Sequence, residues 1–276
     1  MSVHHTKKDE LRQSRTKRIR ALSLIENLPR ESSGRFLVYK ERGETLAVLV
    51  RRFRAEQGID VSVPITYAGR LDPMAEGAVL LLVGTDRYHK DSLLGLAKTY
   101  EMEVLLGIAT DTADVLGLII RESYASCNTN ILESVVARVS DITELPYPAY
   151  SSVLVEGKPL FEHTRKGNVV AIPTKKVTIT ESKLLRTRTA PVELIAREAI
   201  EDIGVVEGDF RQVSIMKQWK SYTETHHDKS VLIATVRITA SSGTYMRSIA
   251  QWIGDKLGVP ALAYRIKRTK IGEWGI

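Results

Sequence analysis

The apolar run Val79-Leu-Leu-Leu-Val83 follows directly on the segment Gly69-Arg-Leu-Asp-Pro-Met-Ala-Glu-Gly-Ala78, and no other feature constrains the fold of this chain as strongly. The run is long enough for a buried strand. Pro73 fixes the backbone of the turn that precedes it, while Gly69 and Gly77 relax the chain on either side. The turn therefore brings one carboxylate, Asp72, to the edge of a core strand. An acid held in this way is better placed for chemistry than one on a mobile loop tip. Asp-Pro is also a common turn-forming pair, and taken alone the segment reads as a structural turn.

Around this segment the residues outline further elements. Phe36–Lys40 reads as a short strand, and Thr45 caps a helix with Leu46, Leu49, Val50 and Phe53 on one face. A short helix is expected from Asp86 through Leu96, a strand over Lys98–Gly107, and a helix from the cap Asn128 to about Ser140. The loop Leu145–Ser152 and the hairpin-like Val153–Pro159 lead into Leu160–Gly167. Strand-like composition dominates the rest, over Lys176–Leu185, Phe210–Trp219 and Val231–Thr239. Thr244 is the expected cap of a helix with Ile249, Trp252, Ile253 and Leu257 on its apolar face, stopped by Gly258. Ala261–Arg268 is the final strand. Strands outnumber helices and do not alternate regularly with them, which points to a mixed α+β fold.

Charge narrows the partners. The 276 residues carry a net charge of +7, which suits a polyanion such as a nucleic acid. Lys7, Lys8, Arg12, Arg15, Lys17, Arg18 and Arg20 stand against only Asp9 and Glu10 in the first 20 residues. Residues 1–34 thus form a basic leader, either a solvated, disordered arm or one that adds phosphate contacts. The remainder, residues 35–276, is expected to fold as one domain. No apolar stretch approaches the roughly 20 residues of a membrane span. The polar N-terminus has no secretory signal pattern, so a cytoplasmic protein without membrane contact is expected. Cys127 is the single cysteine, which excludes an intrachain disulfide. His4-His5 and His226-His227 have no zinc-like spacing, and no metal is expected.

Several segments resemble, in order, those of the TruB family of tRNA pseudouridine synthases. Gly69–Gly77 resembles the family's G-x-L-D-P-x-A-x-G segment, and Lys98-Thr-Tyr100 its K-x-Y strand. Ala109-Thr-Asp-Thr-Ala-Asp114 with Gly117 is similar to G-x-x-T-D-T-x-D-x-x-G. The stretch from Pro148-Ala-Tyr-Ser151 to Gly167 is similar to P-x-Y-S-A-x-x-x-G-x-x-[LA]-Y-x-x-A-R-x-G. Ser241-Ser-Gly-Thr-Tyr-Met-Arg247 resembles S-x-G-T-Y-[IV]-R, and Ile266-Lys-Arg268 the family's Leu-Arg-Arg. Lys40, Gly43 and Thr45 match the opening K-P-x-G-x-[ST], with Glu41 in place of Pro. Thr66-Tyr-Ala-Gly69 replaces the usual G-H-T-G, so Tyr67 stands where the family has His and Arg70 precedes Leu71. The likeness runs from about Phe36 to Ile276. The C-terminal RNA-binding PUA domain that family members often carry has no evident counterpart.

The resemblance implies a pseudouridine synthase fold, a mainly antiparallel sheet with flanking helices and a central RNA-binding cleft, over residues 35–276. It implies conversion of uridine to pseudouridine in the T-loop of tRNA, at position 55, with Asp72 as nucleophile. The reaction breaks the C1′–N1 bond, turns the base and rejoins it through C5, so no cofactor is required. Tyr100 matches a ring that stacks on the uracil face, although it also reads as a core strand tyrosine. Arg247 matches a guanidinium that forks onto the carboxylate, although a solvated helix arginine is the alternative. Tyr245 is a candidate wall of the uridine pocket. Tyr67, Arg70, Lys40, Arg165 and Arg268 are candidate RNA contacts, and as single charges the basic ones are as readily solvated. The target nucleotide has to be everted to reach the acid. The expected partner is the T-arm stem-loop of tRNA, bound by a monomer. The alternatives are a non-catalytic RNA-binding or tRNA-folding module on the same scaffold, and the same chemistry on a different RNA.

Overall fold

A computed structural model describes residues 33–124 and 128–276. The basic leader up to residue 32, and Cys127, lie outside the described residues. An eight-stranded sheet forms the centre, in the order β1 (Gly34–Lys40), β3 (Ala75–Val83), β13 (Ala261–Ile271), β4 (Lys98–Leu106), β12 (Ser230–Ala240) and β11 (Ile179–Pro191). Two short strands complete it, β2 (Ile65–Tyr67) on β3 and β14 (Trp274–Gly275) on β13. Pairing is antiparallel except between β3 and β13, where Ala75–Gly77 run parallel to Ile266–Arg268. The fold is thus mixed α+β with a mainly antiparallel sheet, as the run of strand-like segments implies.

The sheet is covered on both faces, and strand alternation decides which residues go where. Tyr100, Met102 and Val104 of β4 face one core with Val236 and Ile238 of β12 and Ala261 and Ala263 of β13. Helices α1 (Leu46–Gln57), α3 (Thr129–Ala137) and α7 (Met246–Leu257) close that side, through residues such as Phe53, Leu132 and Ile249. Leu105, Ile233, Leu262 and Tyr264 point the other way. They meet α5 (Val192–Gly204) and α6 (Gln212–His226), where Ile195, Ile203, Ile215 and Trp219 are fully buried. Trp219 spends its one polar group on the Val115 carbonyl at 3.2 Å. Alternate residues of β3, Leu80 and Leu82, face a third, smaller cluster with Leu93 and Ile271.

Two expectations about elements are corrected, and one helix had not been expected. Phe210–Trp219 is not a strand: Gln212–His226 is a helix. The β-favouring residues there are spaced for a helix, because Ile215 and Trp219 lie four apart and pack on α5. The helix Val192–Gly204 begins directly after Pro191, and Val192, Ile195, Ala196, Ala199 and Ile203 form its buried stripe. That periodicity was open to reading and no element was expected there. Thr244 is not the cap of the helix before Gly258, since Tyr245 takes that place without a side-chain cap. The Thr244 hydroxyl is committed instead to the Ser241 carbonyl at 2.9 Å. Short elements complete the chain: α2 (Lys90–Leu94), β5 (Ile108–Thr110), β6 (Ile119–Glu122), β7 (Glu144–Pro146), the hairpin β8 (Leu154–Val155) and β9 (Lys158–Pro159), α4 (Leu160–Arg165) and β10 (Thr174–Lys176). No described helix is long and apolar enough to cross a membrane.

Candidate active site

The turn between β2 and β3 carries Asp72 between two buried anchors, Leu71 and Met74. Its shape is imposed from behind by two cations with no access to solvent. The Lys40 ammonium donates to the carbonyls of Glu41 at 3.1 Å, Pro73 at 3.1 Å and Ala75 at 2.5 Å. The Arg268 guanidinium donates to Ala78 at 2.6 Å, Arg70 at 3.0 Å and Gly69 at 3.4 Å. The amide of Gly43 adds a bond to the Pro73 carbonyl at 2.9 Å. Gly77, at φ +108°, passes so close to β13 that a Cβ there would lie 2.3 Å from the Arg268 carbonyl oxygen. Burial drives the Lys40 ammonium down to about 8, against the charges of Glu44 and Asp72.

Arg247 closes the site from the first turn of α7. Its Nε donates to Oδ2 of Asp72 at 2.8 Å. Its other nitrogens are held by two carbonyls: Nη1 by Thr112 at 3.0 Å, and both Nη1 and Nη2 by Tyr150, at 3.3 and 3.2 Å. The Arg247 side chain is only 5% exposed, whereas that of Asp72 is 36% exposed. The acid is therefore reachable from solvent while its partner is not. A charge-assisted contact of this geometry fixes the orientation of a carboxylate. Burial acts to lower the Arg247 guanidinium, but Asp72 and Asp114 outweigh it and hold it above its usual value.

Asp114 is the second carboxylate beside Arg247, with Oδ2 3.8 Å from Nε. Burial pushes its carboxyl up, and Asp72 adds to the shift. The Arg247 charge opposes it most, joined by hydrogen bonds from the Thr112 hydroxyl at 2.7 Å and the Leu116 amide at 2.9 Å. Around the mouth, the Tyr245 ring lies edge-on to Tyr147 at 5.5 Å and 5.8 Å from the Arg247 guanidinium carbon. Burial raises the Tyr245 phenol, and the nearby charge of Asp72 raises it further.

Asp72, Arg247 and Tyr245 thus form one cluster. Tyr100 is 9% exposed and shares the apolar core with Leu71 and Met246, which adjoin Asp72 and Arg247 in sequence. Arg70 is exposed beside Tyr245, whose phenol its charge acts to lower. Tyr67, half-buried on β2, has the Lys90 ammonium 5.9 Å from its ring. Lys40 and Arg268 lie away from solvent. Read as RNA contacts, they are buried at 0% and 1% exposure and spend their donors on the Asp72 turn. Arg165 is exposed but bound to Asp209, through Nη1 to Oδ2 at 3.3 Å. Asp114 and the Tyr150 carbonyl were not anticipated. Asp114 ends the T-D-T-x-D segment, a signal that was present, whereas a carbonyl leaves no trace in residue type. No cluster of three potential metal ligands occurs among the described residues.

Residues 61–202 match the family described as TruB family pseudouridylate synthase, N-terminal domain. The tRNA pseudouridine synthase B of Cupriavidus metallidurans is 30% identical over 207 residues, covering 75% of this chain and 53% of that protein. That of Geobacillus thermodenitrificans is 32% identical over 246 residues, covering 87% and 68% respectively. The chain thus spans about half to two thirds of the length of these relatives. A crystal structure of a Cbf5-Nop10-Gar1 complex superposes with a TM-score of 0.50 at 16% identity, covering 87% of this chain and 50% of that one. At that identity the likeness concerns the fold alone.

Proposed function

We infer the function from one premise: the chain belongs to the TruB family of pseudouridylate synthases. The reading is an RNA pseudouridine synthase that isomerises a uridine in the T-loop of tRNA, at position 55, with residues 35–276 as the catalytic unit. It works in the cytoplasm as a monomer on the T-arm stem-loop and needs no cofactor, because the reaction only rearranges the nucleoside. The bond from C1′ to N1 breaks and one from C1′ to C5 forms, while a proton leaves C5 and N1 gains one. Asp72 is the nucleophile, and Arg247 fixes its orientation from the dry side. Tyr100 and Tyr245 form the walls against which the everted base stacks. Tyr67, Arg70 and Arg165 stand where the surrounding RNA would pass, Arg165 once released from Asp209. Lys40 and Arg268 support the turn from below.

The observation that carries the reading is the 2.8 Å contact between a buried Arg247 and a partly exposed Asp72. A surface salt bridge would be worth little, but here only the acid faces outward. Unmodified tRNA incubated with the protein is expected to gain pseudouridine at position 55, and Asp72→Asn to abolish the product while still binding tRNA. Full activity in Asp72→Asn would remove the nucleophile assignment. Wild-type protein that binds folded tRNA and leaves it unmodified would favour a binding module instead.

A further inference from the structure

β11 and β12 are antiparallel neighbours joined by residues 192–229, which contain α5 and α6, although a two-residue turn suffices for such a pair. At the start of α6 this connection places Arg211 in the left-handed region, at φ 63° and ψ 25°, a costly conformation for a residue with a long side chain. The side chain is aimed at Asp111 and Tyr150. Its Nη1 and Nη2 lie 2.7 and 3.1 Å from the two carboxylate oxygens of Asp111. Its guanidinium carbon lies 4.4 Å from the centre of the Tyr150 ring. Next to it Asp209 binds Arg165, so this corner also grips α4.

Both groups that Arg211 clamps lead to Arg247. Tyr150 supplies the carbonyl that receives Nη1 and Nη2 of Arg247, and Thr112, the residue after Asp111, supplies the other carbonyl. Among the described residues Arg247 has no other carbonyl partner, and it in turn orients Asp72. We propose that Arg211 is a positioning residue for the reaction: it locks the Asp111 and Tyr150 segments together so that their carbonyls hold Arg247 in the orientation that aims Asp72. The α5–α6 connection is then a brace for the reacting acid. This inference rests on the proposed synthase activity and adds a residue to it.

Arg211→Gly and Arg211→Asn test the clamp, since both replacements accept a positive φ and remove the guanidinium. With excess enzyme on unmodified tRNA, the single-turnover rate is expected to fall about 10- to 100-fold, the loss typical of a misplaced reacting group. tRNA affinity and the thermal midpoint stay close to wild type. Arg211→Lys restores part of the rate. Asp111→Asn reproduces the loss, and combining it with Arg211→Gly adds nothing further. A wild-type rate in Arg211→Gly and Arg211→Asn overturns the proposal, as does a loss that tracks affinity or stability. Should the wild type form no pseudouridine, the functional reading fails by itself. Crystal structures of wild type and Arg211→Gly then decide the clamp. Displacement of the Tyr150 carbonyl from Arg247 supports it, and unchanged geometry refutes it.

Discussion

Lys40 has 0% exposure, and among the described residues its ammonium donates to three backbone carbonyls and to no acidic side chain. Its proton is held to about 8 in the folded chain, while an unfolded lysine keeps it to about 10.4. Between those values the unfolded state binds more protons, so this group's contribution to stability rises with pH. The burial penalty is full below about 8 and gone above about 10.5. The unfolding free energy of wild type relative to Lys40→Met is expected to climb by about 1 kcal/mol per pH unit from 8 to 10. Chemical denaturation across that range measures it, and a constant difference would show that the ammonium stays charged. Lys40 also shows what residue type conceals. Asp72 and Arg247 could be paired from their motifs, because an acid and a guanidinium have few other uses there. Lysine and arginine near a nucleic-acid site suggest phosphate contacts, and only three-dimensional burial reveals that Lys40 and Arg268 serve the backbone.

At the scale of elements, the Asp72 turn depends on the parallel contact between β3 and β13. Gly77→Ala forces a Cβ to within 2.3 Å of a backbone oxygen at a residue with φ +108°. Overpacking and backbone strain each cost 1–3 kcal/mol, so the variant is expected to lose about 3 kcal/mol or more in urea unfolding. Gly58, at φ +62° with nothing within 4 Å, supplies the control, because its alanine variant carries a milder left-handed strain and no clash. Equal losses at the two positions would remove the packing argument. Strands with a long apolar run or clear alternation were legible: β3, β4, β12 and β13 all lie where their apolar residues imply. The α5–α6 connection was not. Phe210, Val213, Ile215 and Trp219 favour strands by propensity, and the tertiary contact of Ile215 and Trp219 with α5 overrides that preference.

For the whole molecule, charge is distributed unevenly along the chain. Residues 1–32 hold eight basic and four acidic side chains, a net +4 of the +7 total. Each phosphate neutralised contributes about 0.7–0.9 to the slope of log K against log salt. Deleting residues 1–32 is expected to flatten that slope for tRNA by about one unit or more, while pseudouridine formation at saturating tRNA persists. An unaltered slope in filter-binding titrations would mean that the leader neutralises no phosphate. The same view of the whole chain gives the β3–β13 pairing a meaning in time. Gly69 and Arg268 are 199 positions apart, yet the guanidinium of Arg268 donates to the Gly69 carbonyl. A ribosome finishes the acid-bearing turn long before the codons that tether it, so the emerging polypeptide carries a loose, unaimed carboxylate. The turn can take its folded shape only when translation has passed Arg268, so a chain cut short upstream is expected to lack the tether that holds Asp72 in place.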